Sequence, residues 1–585
     1  YSVQAALGKF MPKHHSLDVD FWGINDAKLR DLKGYATFAF ELIQNADDAP
    51  DVTEVAFDLS KDGIHVVNNG SFRDKDFERI AKIASGGKRE ESGTIGAFGI
   101  GFISVYQITD TPQIISAGKK WDLHPERDNP SERIDVEEVL DDGKTYFYFP
   151  WATDKNSIVR KKLNLETVNR KSFDILRRTL LTEIDTSILF LRKLEKITIS
   201  VNGKIEKTIE RIPPEGGVQV ISINNEDQIW YTFEGNFEND ANDLKTKYNG
   251  QIEKKRSSAI TIAIPEETDR FNGYFYAFLP TFHRTNLPFH ICGDFFPSSD
   301  RKRILLDSDY QGEWNKRATL EAAKTILSNI IEIRNQLGHK AFFEFLFRTE
   351  AIHIAAKNSQ QDEVLGAFWE VLEPELENYP VVFTSCGKWK KPSDQIFLLE
   401  NQKEKKSIPV LSELNIDVVH PDLNRYHNLL RGKSMKVPLL RNAQIADAIQ
   451  KSGLVSGQKL KDAPKWFQDF SNRALLIDEI VLLRSRNLSE SEKKEDETKL
   501  SECPIVVSCD SRIAAPNKVW LADSNTVRIF SAAQMASILA SDSNPKEISH
   551  LVYQFDLEVA IDNILITTND PLSLEDPVNP LEATW

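Results

Sequence analysis

The chain has 585 residues, 41% of them hydrophobic and 28% charged, with a formal net charge of −15 at pH 7; this is the composition of folded globular protein, long enough for about three or four domains. The acidic balance argues against a generally basic nucleic-acid surface, because phosphate binding is mostly neutralisation by Lys and Arg. No apolar run approaches the roughly 20 residues needed to cross a bilayer, and residues 1–10 lack a signal-peptide core, so a cytoplasmic location without a membrane partner is expected.

In chain order, His14 and His15 precede the first strong signal and read as surface residues. Residues 27–49 carry helical periodicity. Leu29, Leu32, Ala36, Ala39, Leu42, Ile43 and Ala46 supply apolar surface, while Glu41, Asn45 and Asp48 stand at i, i+4 and i+7 and share one face at the rim of a core. Asp47 is expected to point elsewhere. Val55, Phe57 and Leu59 then alternate with Glu54, Ala56 and Asp58, and Asp62 and Gly63 turn the chain into a second strand ending at Asn68. Residues 74–84 read as a helix with Phe77, Ile80, Ala81 and Ala84 on one side. The charged, glycine-containing segment around Lys88 is either a plain linker or a lid that brings Lys88 near phosphate. Gly93, Gly96, Gly99 and Gly101 open a further apolar, helical segment, and glycines at a helix start let backbone N–H groups approach an anion.

The stretches ELIQNADDA at 41–49, NNG at 68–70 and GTIGAFGIGF at 93–102 resemble the N, G1 and G2 boxes of the GHKL ATPases, the superfamily of gyrase B, ninety-kilodalton heat-shock chaperones, histidine kinases and MutL. Within it, the resemblance is to the sacsin-type branch of chaperone-like ATPases. It implies an α+β chain whose residues 1–205 form a Bergerat-type α/β sandwich binding ATP and Mg²⁺. Glu41 would be the general base for the attacking water and Asn45 the ligand of a Mg²⁺ bridging the phosphates. Asp48, Ala49, Asn68, Gly70, Gly96, Phe98, Gly99, Ile100, Gly101 and Phe102 would line the nucleotide pocket, with Thr145 closing it from a later strand. The G1 box usually carries Asp where this chain has Asn68; an amide donates as well as accepts, so a different purine edge is open to it.

Further strands are expected at 113–116, 145–149 and 196–201, with a helix at 173–181 and a closing segment at 187–194. This first unit has no evident cation to neutralise charge developing on a terminal phosphate. A second domain, residues 206–340, contains strand-like stretches at 260–264, 273–279 and 287–291, followed by Gly293 to Arg303. A similar segment follows the ATPase domain of sacsin-type proteins, which makes Arg301 and Arg303 candidates for the missing cation; the plain alternative is a solvated basic turn. Lys254, Lys255 and Arg256 read as a solvated loop. A helix at 314–337, burying Leu320, Ala323, Ile326, Leu327 and Ile330, ends this domain.

Residues 341–585 mix helices with an internal repeat. Pro380, the apolar run behind it, Pro392 and Ile396 recur as Pro504, its run, Pro516 and Val519. Residues 490–502 are charge-rich, a solvated helix or linker. Cys292, Cys386, Cys503 and Cys509 have no short metal or redox spacing. The expectation is an ATP-driven switch in a chaperone-like or defence-related machine, with ATP-dependent homodimerisation implied by resemblance and a protein client or partner subunit unnamed. The alternatives are a scaffold whose nucleotide site hydrolyses little, and a DNA-processing ATPase resembling MutL or MORC proteins, against which the acidic charge argues.

Overall fold

The alternation of Val55, Phe57 and Leu59 is realised as strand β1 (Glu54–Leu59), which buries those three side chains. It pairs antiparallel with β2 (Gly63–Asn68), setting Val55 opposite Asn68. The structure, a computed structural model, describes residues 22, 26, 29, 35–81, 101–129, 132–215, 217–298, 301–359, 363–400, 406–484, 486–522, 538–540, 543 and 548–554. The chain divides into two compact units, Tyr1–Asn329 with Arg348–Trp369, and Ile330–Phe347 with Glu370–Trp585.

The first unit is α+β. Its other strands are β3 (Gln113–Ser116), β4 (Lys119–Leu123), β5 (Ile134–Glu138), β6 (Thr145–Pro150), β7 (Lys196–Val201), β8 (Lys204–Glu215), β9 (Val218–Ile223), β10 (Glu226–Asn236), β11 (Ala259–Pro265), β12 (Tyr274–Ala277), β13 (Leu279–Arg284) and β14 (His290–Gly293). They make one mixed 14-stranded sheet in the order β13-β12-β14-β11-β10-β9-β8-β7-β1-β2-β6-β3-β4-β5. β1 lies parallel to β7, and β12 to β14. Asn202 and Gly203, both at positive φ (51° and 74°), turn β7 into β8, a primed turn that suits the twist of paired strands. The sheet therefore continues past residue 205, and Ile209, Ile221 and Trp230 share a core with Phe57 and Ile199.

Helix α1 (Tyr35–Asp48) is the described part of the first predicted helix. Phe38, Ala39, Leu42, Ile43 and Ala46 enter that same core. Burying one large apolar side chain is worth about 1.5–3 kcal/mol, so this face fixes the helix roll and leaves Glu41, Asn45 and Asp48 half-buried at its rim. Helix α2 is Asp74–Ala81. Gly101–Gln107 is a 3-10 helix packed against α1, where an α-helix is expected. Helices α3 (Ile158–Lys162) and α4 (Arg170–Thr182) follow; Asn169 and Ser172 form a capping box at the start of α4.

Two expectations for the later part of this unit need correction. The helix predicted at 314–337 is two helices, α6 (Tyr310–Ser328) and α7 (Ile330–Ser359), with α5 (Glu238–Lys247) packed against the former. Asn329 closes α6: its backbone and side-chain amides both donate to Thr325 O, at 3.2 and 2.8 Å, the competition that makes Asn a poor helix-interior residue. The buried stripe of α6 is also turned, burying Asn315, Thr319 and Thr325 while Leu320 and Leu327 are only partly buried. Arg256 is not a solvated loop residue either. It pairs with Asp294 at 2.7 Å and lies over the Phe296 ring at 3.6 Å.

In the second unit, Val382–Phe383 pairs with Trp389–Lys390 and Val506–Val507 with Ile513–Ala514, both antiparallel. Ile396–Phe397 then pairs in parallel with Asp417–Val418, and Trp520–Leu521 with Tyr553–Gln554. The tight turns correspond as well, Thr384 binding Lys388 O as Ser508 binds Arg512 O. Leu411, Ile445, Phe467, Leu476, Ile480 and Val506 belong to its core. The charged stretch is a helix, Glu490–Ser501, capped by Ser489 and Glu492. Cys292 and Cys503 are buried free thiols pushed up to about 12 by desolvation, which makes them poor nucleophiles.

Candidate active site

The polar face of α1 is held in place by the acid that the helical period turns away from it. Asp47 is buried, and its carboxylate accepts the backbone N–H groups of Lys193 (2.8 Å), Leu194 (3.0 Å) and Arg192 (3.1 Å). Lys193 Nζ returns a bond to Ala49 O at 2.8 Å. A carboxylate in the last turn of a helix is disfavoured by the helix dipole. Three charge-assisted bonds from one backbone segment offset that cost, and they tie the end of α1 to the approach to β7.

Arg301 reaches this face from far along the sequence. The segment after β14 is braced at its base: Phe296 exchanges two 2.8 Å hydrogen bonds with the Asn315 carboxamide, and Trp314 Nε1 donates to Asp294 O at 2.9 Å. Arg301 itself sits at φ 56°, an unfavourable region for a non-glycine residue. Its backbone is fixed there by bonds to Ser298 O and from Phe282 N–H, each 2.8 Å. The side chain is 12% exposed; Nη2 donates to Gln44 Oε1 at 3.0 Å and Nε lies 3.9 Å from Glu41 Oε1. Nη1 is buried with no hydrogen-bond partner among the described residues. Burial lowers the guanidinium's basicity and the Glu41 charge works against that lowering; it remains protonated, as Arg does in proteins.

A second group lies where β2 and β6 meet. Asn68 is paired with Thr145 across the two strands. Its side-chain oxygen accepts the Gly70 N–H at 3.1 Å. Phe72 N–H donates to Ser116 Oγ (2.8 Å), Ser116 and Thr145 hydroxyls are 2.7 Å apart, and Thr145 donates to Gly70 O at 2.7 Å. Because the Thr145 proton is spent on Gly70 O, Ser116 is the donor between the hydroxyls, and the chain has one direction. A Cβ on Gly70 would meet Val52 Cγ2 at 2.4 Å and Pro50 O at 3.1 Å, so glycine lets the turn lie against the segment that leads into β1.

The predicted residues divide accordingly. Glu41, Asn45 and Asp48 share the open face of α1, Ala49 follows it, and Arg301 approaches Glu41; Asn68, Gly70 and Thr145 form the second group. Arg303 bonds Ser298 through its backbone, and its side chain is exposed. Phe102 is a core residue, its ring 6.3 and 6.4 Å from those of Phe147 and Phe149, and Gly101 precedes it in the 3-10 helix. Lys88, Gly96, Phe98, Gly99 and Ile100 lie outside the described residues. Gln44, Asp47 and Ser116 are contributors that the sequence reading assigns no role. The signal available for Asp47 was an acid placed in the unfavourable last turn of a helix.

A partly buried carboxylate and carboxamide share this helix face with a guanidinium whose Nη1 has no hydrogen-bond partner among the described residues. The comparisons with known proteins bear on the same part of the chain. Residues 29–137 match the Sacsin domain family. Sacsin of Homo sapiens is 29% identical over 224 residues, 29% of this chain and 5% of sacsin. Protein NO VEIN of Arabidopsis thaliana is 40% identical over 86 residues, 14% of this chain and 3% of that protein. The chain thus spans only a few per cent of the length of these curated relatives. Among solved structures, the N-terminal domain of a DNA repair protein superposes with a TM-score of 0.30 at 13% identity, covering 53% of this chain and 99% of that one. The ATPase region of Saccharomyces cerevisiae topoisomerase II does so with a TM-score of 0.24 at 14% identity, covering 52% and 85%. Both scores are low. Among the described residues no helix is long and apolar enough to cross a membrane.

Proposed function

We propose that the first unit binds and hydrolyses Mg-ATP, and that the chain is a conformational switch of the sacsin-like GHKL type. The observation that carries this reading is Arg301, a guanidinium whose Nη1 is buried with no partner among the described residues, delivered to the carboxylate of Glu41. Glu41 would orient the attacking water and accept its proton. Asn45 would hold Mg²⁺ through its amide oxygen; when bound, the ion supplies charge neutralisation on the phosphate oxygens. Arg301 would stabilise the charge that develops on the terminal phosphate, and in this role it stands alone, without Arg303. Asp48 and Ala49 would flank the nucleotide, while Asn68 and Thr145 would meet the purine edge, Asn68 adding a donor where the family's Asp only accepts. The glycine turn with Gly96, Phe98, Gly99, Ile100 and Gly101, and Lys88 ahead of it, would cover the phosphates. ATP-dependent homodimerisation, a protein client or partner subunit, and a chaperone-like or defence-related role belong to the same proposal.

The test is phosphate release from Mg-ATP by the full chain beside Glu41→Ala, with ATP binding measured for both. Wild-type turnover with a variant that binds ATP but loses turnover by at least about 10²-fold supports the general base. Absence of ATP binding by the wild type overturns the reading. The Arg301–Glu41 contact also favours a second reading, a scaffold with little hydrolysis: a carboxylate engaged by a guanidinium is not a free proton acceptor until the two are separated. Binding without turnover in both proteins supports that one.

A further inference from the structure

The second unit carries a side-chain cluster that the proposed reaction does not use. His339 and Lys340 follow a kink at Gly338 (φ 70°) in α7, and His420 and Asp422 flank Pro421 at the start of the 3-10 helix Pro421–Tyr426. His339 Nε2 lies 3.3 Å from Asp422 Oδ2, and His420 Nδ1 lies 3.7 Å from the same oxygen. One donor atom from each of the three residues falls within 4.8 Å of the others. A tetrahedral Zn²⁺ with bonds of about 2.0–2.2 Å separates neighbouring ligand atoms by roughly 3.3 Å. The cluster therefore has the dimensions of a ligand shell slightly relaxed from its metal-bound spacing.

The surroundings hold the donors in place. The His339 ring stacks on Phe383 at 4.6 Å and 14°, and the His420 backbone N–H donates to Phe383 O at 2.9 Å. The bond from Asp422 N–H to His420 Nδ1 is long, 3.3 Å, and a metal would replace a weak interaction there. Lys340 Nζ sits 3.0 Å from Asp422 Oδ2 on a side chain that is 68% exposed. An ammonium thus stands at the carboxylate oxygen a divalent cation would claim, on a stem that can swing into water. Exposed pairs of this kind are worth about 1 kcal/mol or less.

We propose that His339, His420 and Asp422 form a Zn²⁺ site, with water in the fourth position and Lys340 as a displaceable counter-ion. Two imidazoles and one carboxylate suit Zn²⁺, whereas Ca²⁺ and Mg²⁺ prefer oxygen-only shells. The ion would join the segment after Gly338 to the turn at Pro421, fastening parts of this unit distant in sequence. The competing account is a plain hydrogen-bonded cluster that needs no metal.

Titration of the full chain with Co²⁺, followed by its visible d–d absorption and by competition with Zn²⁺, distinguishes the two. The expected result is one equivalent with the intense bands of a four-coordinate ion. His420→Ala should weaken binding by at least about tenfold, and Lys340→Met should tighten it several-fold by removing the competing cation. Bands of unchanged affinity in His420→Ala, or no tightening in Lys340→Met, overturn the site. Should His420→Ala fail to fold, the Lys340→Met comparison decides alone.

Discussion

Two buried arginines in the first unit show how differently the same side chain can be used. Arg160, on α3, is 2% exposed in its side chain, pairs with Asp110 at 2.6 Å, and donates to the carbonyls of Thr109 (2.9 Å), Glu166 (3.1 Å), Gln107 (3.4 Å) and Tyr106. Arg301 is 12% exposed, yet among the described residues its side chain makes one hydrogen bond, to Gln44, and a 3.9 Å approach to Glu41. Burial lowers the basicity of both. Around Arg160 the protein supplies the hydrogen bonds that water would have made. Around Arg301 it supplies fewer, and a buried donor left unmade costs about 1–3 kcal/mol, a cost that an incoming anion would relieve.

The sharpest way to break this contrast is stability. Arg160→Met leaves Asp110 and several carbonyls buried without their donor, and should lower the free energy of urea unfolding by about 3–5 kcal/mol. Arg301→Met should cost far less stability, under about 1 kcal/mol, because it also removes an unsatisfied group; its effect should fall on phosphate release, by about 10²-fold or near 2.7 kcal/mol of barrier. If Arg301→Met destabilises as much as Arg160→Met while turnover is unchanged, the two arginines are both braces. His290 sharpens the contrast from the neutral side. It is buried on β14 between Trp230 and Tyr276, accepts the Tyr274 N–H at 3.0 Å, and is held down to about 3 by desolvation. A His whose folded value lies below its unfolded value of about 6.5 stabilises fully above pH 6.5 and loses that contribution as pH falls toward 3, with a limiting slope of about 1.4 kcal/mol per unit. His290→Phe should therefore flatten the fall in stability between pH 7 and pH 5, by about 2 kcal/mol, in paired urea titrations. An unchanged slope would mean that His290 does not titrate on unfolding as its burial requires.

Much of α1 was legible because a helical period of 3.6 assigns every residue a direction. Glu41, Asn45 and Asp48 could be grouped from spacing alone, and Val55, Phe57 and Leu59 could be placed on one strand face. Arg301 is 257 residues from Gln44, and no local pattern connects them; only resemblance to a family segment made it a candidate, and that same resemblance carried Arg303 along with it. Asp47 was read as pointing elsewhere, which is right as direction, but periodicity says nothing of the three amides that meet it there. Leu320 and Leu327 were placed in the core of α6 by hydrophobicity, whereas Asn315, Thr319 and Thr325 bury instead because each finds a hydrogen bond within reach. The break at Asn329 is likewise a hydrogen-bond decision inside an otherwise helix-favouring run. Local periodicity was readable, and the satisfaction of polar groups by distant partners was not.

The grip of Asp47 on residues 192–194 has an evolutionary corollary. Its partners are peptide N–H groups, which every amino acid but proline provides, so the identities of those three residues are nearly free to drift while their spacing is not. A proline there would remove one of the three donors, and an insertion or deletion of one residue between α4 and β7 would change which amides meet the Asp47 carboxylate at the end of α1. The constraint that anchors this helix end is therefore one of loop length, and an alignment scored by residue identity would overlook it.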